Sequence, residues 1–216
     1  MQVTPAILPK NFDEITDKLA KLDYVASLVQ IDLCDGDFGI LKTWLPEGGE
    51  NLSHEYEYEF DIMVNDWKTY TKRAIDLGAA RIVAHVDHFS EADANDLVDI
   101  LEHTGIALGV SVSNNVPLED HINFIKFFEE RYQNVFVQVM GIRDIGAQGQ
   151  PFDESVVERI EEIKSWCPNL YIQVDGAMNH ITAQKVKDAG ADTVISGSYI
   201  FGAEKVASAI ATLEEI

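Results

Sequence analysis

Two stretches of this chain place aspartate where short apolar runs end. One is QIDLCDGDFG, residues 30–39, in which Asp32, Asp35 and Asp37 follow the apolar residues 25–29. The other is QVDGAM, residues 173–178, in which Asp175 precedes Gly176. A carboxylate at the end of a buried strand is costly unless it is paired or used. Two such groups facing one ligand could take a proton from one side of a carbon and return it on the other, acid–base work suited to a carbon beside a carbonyl.

Elements able to hold such a pair can be read from the hydrophobic period. Strand candidates fall at residues 3–8, 24–32, 59–64, 80–86, 106–112, 135–140, 170–175 and 192–197, with amphipathic segments of helical period between most of them. Asn11 with Glu14 three residues on resembles a capping box, Asp153 precedes a helix over 154–165, and Asn179 precedes one over 180–189. Gly78 and Gly190 sit at helix exits, where a left-handed cap needs no Cβ. Eight strands alternating with helices in 216 residues predict an α/β chain folded as a single (β/α)8 TIM barrel over residues 1–216, with no linker. The segment 36–58, with Pro46, Gly48 and Gly49, reads as a loop over the barrel mouth.

In that fold the chemistry belongs at the carboxyl ends of the strands. Alternation along strand two turns Gln30, Asp32 and Cys34 one way and Val29, Ile31 and Leu33 the other; in strand seven Tyr171, Gln173 and Asp175 share a face. Strands one and eight lie between those two, so Asp32 and Asp175 can approach a ligand from opposite sides.

The formal net charge of −21 argues against nucleic acid and anionic membranes as partners. No apolar stretch approaches the roughly 20 residues of a membrane span and the first residues lack a basic leader, so a cytoplasmic location is expected. Cys34 and Cys167 have the spacing of neither a metal knuckle nor a redox pair.

PAILPKNF near the start, QIDLCDGDF, DIMV, His85-Val86, GQPF at 149–152, QVDGAM and ISGSYIFG occur in an order that resembles the ribulose-phosphate 3-epimerase family over nearly the whole chain. The resemblance implies a barrel that binds a phosphorylated ketopentose, a divalent metal, a homo-oligomer, and Asp32 and Asp175 as the groups that exchange the proton at carbon 3. It also exposes departures. The family usually has histidine at the positions of Gln30 and Asp61, methionine at Cys34, serine at Ala6 and glycine at Ala177, and the loop GIRDIGAQGQPF is rewritten.

With those changes, Asp32, Asp61, Asp175 and the Gln30 carbonyl would make an all-oxygen metal site, which favours Mg2+ or Mn2+ over Zn2+. The bland alternative has Asp61 capping the helix that starts near Asn65 and Gln30 filling a polar layer. Without a cation, three crowded carboxylates would share a proton. Phosphate is expected at backbone N–H groups of the late loops, at Gly141, Gly176, Ala177, Gly197 and Ser198, helped by Arg143; the alternative is that these glycines only make turns. His85 and His88 read as satisfied polar residues rather than ligands, Cys34 as a small buried residue, and Trp44 and Trp67 as packing residues.

The leading expectation is an isomerase converting D-ribulose 5-phosphate to D-xylulose 5-phosphate. Decarboxylases and aldol-type synthases on similar barrels depend on an Asp-x-Lys pair, and here Met63 stands at the lysine position. The altered Gln30 and Asp61 also leave room for a relative that binds a sugar phosphate or a protein without catalysis.

Overall fold

The computed structural model describes residues 1–38, 41–145 and 149–216. Its strands are β1 (Gln2–Ile7), β2 (Leu28–Cys34), β3 (Glu57–Met63), β4 (Ala79–His85), β5 (Ala107–Val112), β6 (Val135–Met140), β7 (Ile172–Asp175) and β8 (Thr193–Ser196). All pair in parallel, in chain order, and β8 closes on β1. Helices α1 (Phe12–Leu22), α2 (Trp67–Asp76), α3 (Glu91–Leu101), α4 (Leu118–Arg131), α5 (Ser155–Trp166), α6 (His180–Asp188), α7 (Ser198–Phe201) and α8 (Val206–Glu214) complete a (β/α)8 barrel. No helix among the described residues is long and apolar enough to cross a membrane.

The helices form where apolar residues recur at helical spacing. Ile15, Leu19 and Leu22 on α1, Ala94, Leu97 and Leu101 on α3, and Val156, Ile160 and Ile163 on α5 are all buried. They cover the outward face of the sheet, where Val29, Ile31 and Leu33 are fully buried with Val137, Val139 and Val174. This cylinder between strands and helices is the apolar core.

Local chemistry sets the ends. Asn11 Oδ1 accepts from Glu14 N–H at 3.0 Å, but the returning Glu14 carboxylate takes the Lys10 N–H, one residue earlier than a standard box. Asn179 and Thr182 make a full capping box on α6. Asp153 Oδ1 accepts from Ser155 N–H ahead of α5, and Gly78 and Gly190 both have positive φ. Strand β2 begins at Leu28, later than the expected residue 24, because Asp23 and Tyr24 take left-handed conformations and Val25 N–H bonds back to Leu22. The strand also runs on to Cys34, so Asp32 lies inside it rather than at its last position.

No strand or helix interrupts residues 41–56. The Thr43 hydroxyl donates to the Asp32 carbonyl and accepts from Cys34 N–H, both at 2.8 Å, which ties this segment to the barrel wall beside the candidate site. Residues 39–40 of the 36–58 segment and 146–148 of the rewritten glycine-rich loop lie outside the described residues. Trp44 packs on Phe12 and Trp67 on Phe89, as packing residues should.

The barrel interior departs from the usual branched apolar filling. Gln30, Asp32, Glu59, Asp61, Gln138 and Gln173 are all buried there. Their partners across the barrel are the framework of the site.

Candidate active site

Asp32 from β2 and Asp175 from β7 meet across the mouth. Gln30, two residues before Asp32 on the same face, lies between them: its Nε2 donates to Asp32 Oδ1 at 2.8 Å and to Asp175 Oδ2 at 3.1 Å. Asp61, opposite Asp32 in the β2–β3 register, completes a trio whose nearest carboxylate oxygens all lie within 4.8 Å of one another.

Asp61 does not cap α2. That role belongs to Asp66, whose side chain accepts from Thr69 N–H. Asp61 is held from both sides inside the barrel: its Oδ1 is 2.7 Å from His85 Nε2, and its Oδ2 accepts from Gln138 Nε2 at 2.8 Å. Gln138 in turn accepts from Gln173 Nε2 at 2.6 Å, and the same nitrogen donates to Glu59 at 2.8 Å. His85 thus has one ring nitrogen satisfied, while its buried Nδ1 has no partner.

Burial governs the charge of this cluster. It pushes Asp32 well above the usual carboxylate range, reinforced by the charges of Asp175 and Asp61. Burial, then Asp61, raises Asp175 to about 7. Burial, with a smaller push from the charges of Asp61 and Asp175, raises Glu59 to about 7 against the pull of Gln173 and Arg81. For His85 burial opposes the charged form, but the carboxylates of Asp61, Asp87 and Asp175 together outweigh it and raise the pKa, which suits an Nε2–H donated to Asp61.

Asp35 of the first motif is structural. Asp35 Oδ1 accepts from the N–H groups of Asp37 and Phe38, and its Oδ2 from Asn65 N–H at 2.7 Å. Burial alone would raise the Asp35 pKa, yet these backbone donors lower it. The turn they hold sets the Phe38 ring edge-on to both His85 and His88. Cys34 is buried against Met63, and burial pushes its thiol pKa up.

Asp32 and Asp175 both line a cavity of about 470 Å³. Gly176, Ala177, Gly197 and Ser198 line it too, and among the described lining residues there is no lysine or arginine. No turn or capping hydrogen bond engages the N–H of Ala177, Gly197 or Ser198 among the described residues. Gly197 is required by close approach, since a Cβ there would lie 2.9 Å from the Ala6 carbonyl oxygen. Ala177 adopts φ +56, a left-handed conformation that suits glycine better.

Two expectations fail at this end. Gly141 does not line the cavity: its N–H donates to the Asp175 carbonyl at 2.6 Å, and a Cβ would collide with the Gly176 carbonyl, so the glycine serves the β6–β7 approach. Arg143 faces away and pairs with Asp153 at 2.9 Å. Met63 does line the cavity, placing a thioether where an amine would be needed for decarboxylase or aldol chemistry.

The sequence reading missed Gln138 and the engagement of His85 with Asp61. The signal was a single amide in the otherwise apolar run VFVQVM, matched by Gln173 in the next strand, its register partner.

Fold and site define a (β/α)8-barrel enzyme with paired acids at a ligand cavity in its mouth. The chain belongs to the ribulose-phosphate 3 epimerase family, whose model matches residues 2–201, and it is an isomerase of that kind. The cytoplasmic isoform of ribulose-phosphate 3-epimerase from rice is 25% identical, covering 99% of this chain and 93% of the relative. The ribulose-phosphate 3-epimerase of Helicobacter pylori is 25% identical over 100% of this chain and 98% of its own, and the chloroplastic enzyme of Arabidopsis thaliana 26% identical over 96% and 74%. Among solved structures, a 3-hexulose-6-phosphate synthase matches with a TM-score of 0.68 at 15% identity, covering 100% of this chain and 99% of that one. The orotidine 5'-phosphate decarboxylase of Pyrococcus horikoshii matches with a TM-score of 0.63 at 19% identity, covering 100% and 99%. Those two likenesses concern the fold.

Proposed function

We propose that this protein epimerises a ketose phosphate at carbon 3, most simply D-ribulose 5-phosphate to D-xylulose 5-phosphate, with Asp32 and Asp175 exchanging the proton. The observation that carries this reading is that both acids line one cavity, joined through Gln30, next to a run of backbone N–H groups at Ala177, Gly197 and Ser198. The relatives are ribulose-phosphate 3-epimerases, which agrees with it.

A two-sided proton exchange needs one acid ionised and one protonated at the same moment. In the cation-free protein, burial and the neighbouring carboxylates raise both Asp32 and Asp175, which favours one acid holding a proton while the other serves as base. The apolar side chains of Met63, Met140, Ile142 and Phe152 line the same cavity and would shield the reacting carbon from water. The phosphate is taken by backbone donors, because no basic side chain among the described residues lines the cavity.

Asp32, Asp61 and Asp175 would hold a divalent cation, with Gln30 as a fourth oxygen ligand. All these donors are oxygens, which suits Mg2+ or Mn2+ better than Zn2+, and the buried Gln30 Oε1 has no hydrogen-bond partner. Such an ion would supply positive charge against the oxyanion that forms when carbon 3 loses its proton. His85 and Gln138 position Asp61 for that duty.

The test is solvent deuterium entry at carbon 3 of ribulose 5-phosphate, followed by NMR. Enzymatic exchange that disappears in Asp32→Asn and Asp175→Asn supports the reading. Absence of exchange with every ketose phosphate tried, with Mg2+ or Mn2+ added, overturns it and leaves a barrel that only binds.

A further inference from the structure

We propose that the Gln30 carboxamide is a two-position ligand, holding Asp32 and Asp175 together through its NH2 group and turning its carbonyl inward when a divalent cation binds. The inference rests on the oxygen-ligand site proposed above. Three observations carry it. The amide nitrogen is within hydrogen-bond distance of both acids, at 2.8 and 3.1 Å, so it occupies the place a shared positive charge would take. The carbonyl oxygen on the same carbon is buried and has no partner. And the group is fully buried, so no solvent competes for either orientation.

The terminal torsion of a glutamine has two broad wells half a turn apart, and the turn exchanges oxygen for nitrogen with little change of shape. With the oxygen inward and no cation, three acceptors would crowd together and repel. With a cation between them, the same oxygen becomes a ligand and the two carboxylates remain in place. An imidazole at this position could not do both, since one ring nitrogen cannot be donor and lone pair at once. Gln30 therefore couples amide orientation to cation occupancy: its NH2 group joins the acids without the ion, and the ion joins them once the amide has turned. The ion accordingly competes with an internal donor.

The experiment is a Mg2+ titration of protein labelled with 15N in the glutamine side chains. The Gln30 NH2 pair is assigned by its disappearance in Gln30→Met, and Mg2+ binding is measured separately by calorimetry. The proposal expects the Gln30 resonances to shift saturably with the calorimetric midpoint and to return on adding EDTA, while other glutamine pairs outside the barrel stay still. Gln30→Met is expected to bind Mg2+ about tenfold or more weakly. If Mg2+ binds in a manner abolished by Asp32→Asn while the wild-type Gln30 resonances do not move, the proposal is overturned. Failure of both Mg2+ and Mn2+ to bind also overturns it. The wild-type titration decides the matter even if Gln30→Met does not fold, and deuterium exchange at carbon 3 reports separately on the epimerase reading.

Discussion

The two sides of the cavity are made of different material. The turns after β7 and β8 bring backbone to the cavity at Gly176, Ala177, Gly197 and Ser198, with the flanking Thr182 hydroxyl spent on the Ala177 carbonyl at 2.8 Å. The acid face instead depends on side chains drawn from around the barrel, with Asp32 of β2 and Asp175 of β7 at the surface of the cavity and Gln30, Asp61, His85 and Gln138 behind them. Backbone donors are indifferent to most substitutions but intolerant of a Cβ where two chains touch. A side-chain network behaves oppositely: its members can be exchanged as long as each buried charge keeps a partner. Gln30 and Asp61, two of the residues that depart from the family pattern, fall in the second group, where Gln30 joins Asp32 to Asp175 and Asp61 is held by His85 and Gln138.

That contrast can be broken most severely at the acids. Asp32→Asn or Asp175→Asn should reduce carbon 3 exchange by about 10²–10⁴-fold or more, the usual worth of a positioned acid or base, with KM little changed. Steady-state kinetics and inhibition by inorganic phosphate would show the backbone side intact. Gly197→Val should do the reverse. Its Cβ would fall 2.9 Å from the Ala6 carbonyl, so the β8 turn must move away from its N–H geometry. KM and the inhibition constant for inorganic phosphate should rise by roughly 10–100-fold, the loss of one charge-assisted hydrogen bond or two, with kcat much less affected. A Gly197→Val enzyme with unchanged KM would show that the anion lies elsewhere.

The side-chain network should also reveal itself in stability. Gln138→Leu leaves Asp61 Oδ2 without its buried donor, at a cost of about 1–3 kcal/mol. For a chain of this size each kcal/mol lowers Tm by roughly 2–4 °C. Phosphate affinity should be unchanged, because Gln138 does not line the cavity.

Asp175 gives a pH-dependent form of the same statement. Its folded pKa is raised from 3.8 to about 7. The folded form therefore gains from the protonated acid below the unfolded pKa, and this gain is lost as pH rises through about 7. Asp175→Asn removes the titrating group, so its Tm minus that of the wild type should increase from pH 4 to pH 8. A constant difference across that range would show that Asp175 is not burdened by burial.

The same division decides what could be read from the sequence. The barrel was legible because β-branched runs, helical spacing and capping residues all point to one alternation, as at Asn179 ahead of α6. The start of β2 was not, since Tyr24 and Val25 have strand composition but follow a left-handed turn. The meeting of Asp32 and Asp175 followed from side-chain alternation and strand order alone. Gln138 reaching Asp61, 77 residues away, did not, because period and spacing carry no record of which inward side chain crosses the barrel. Gly141 was misread for a related reason: a glycine after a strand can serve an anion or a neighbouring carbonyl, and only the β6–β7 contact distinguishes them.

The mildest expected effect lies on the backbone side, at Ala177. Its φ of +56 places a Cβ in the left-handed region, which costs an L-residue other than glycine roughly 1–2 kcal/mol. Ala177→Gly relieves that strain but returns about 0.4–1 kcal/mol through the greater freedom of glycine in the unfolded chain. The net is a small gain, read as a Tm higher by about 1–4 °C. Because the Ala177 carbonyl is already pinned by the Thr182 hydroxyl, the turn keeps its shape, and KM should change by less than about twofold. A fall in Tm would mean that the methyl group contributes packing in the cavity wall that outweighs its strain.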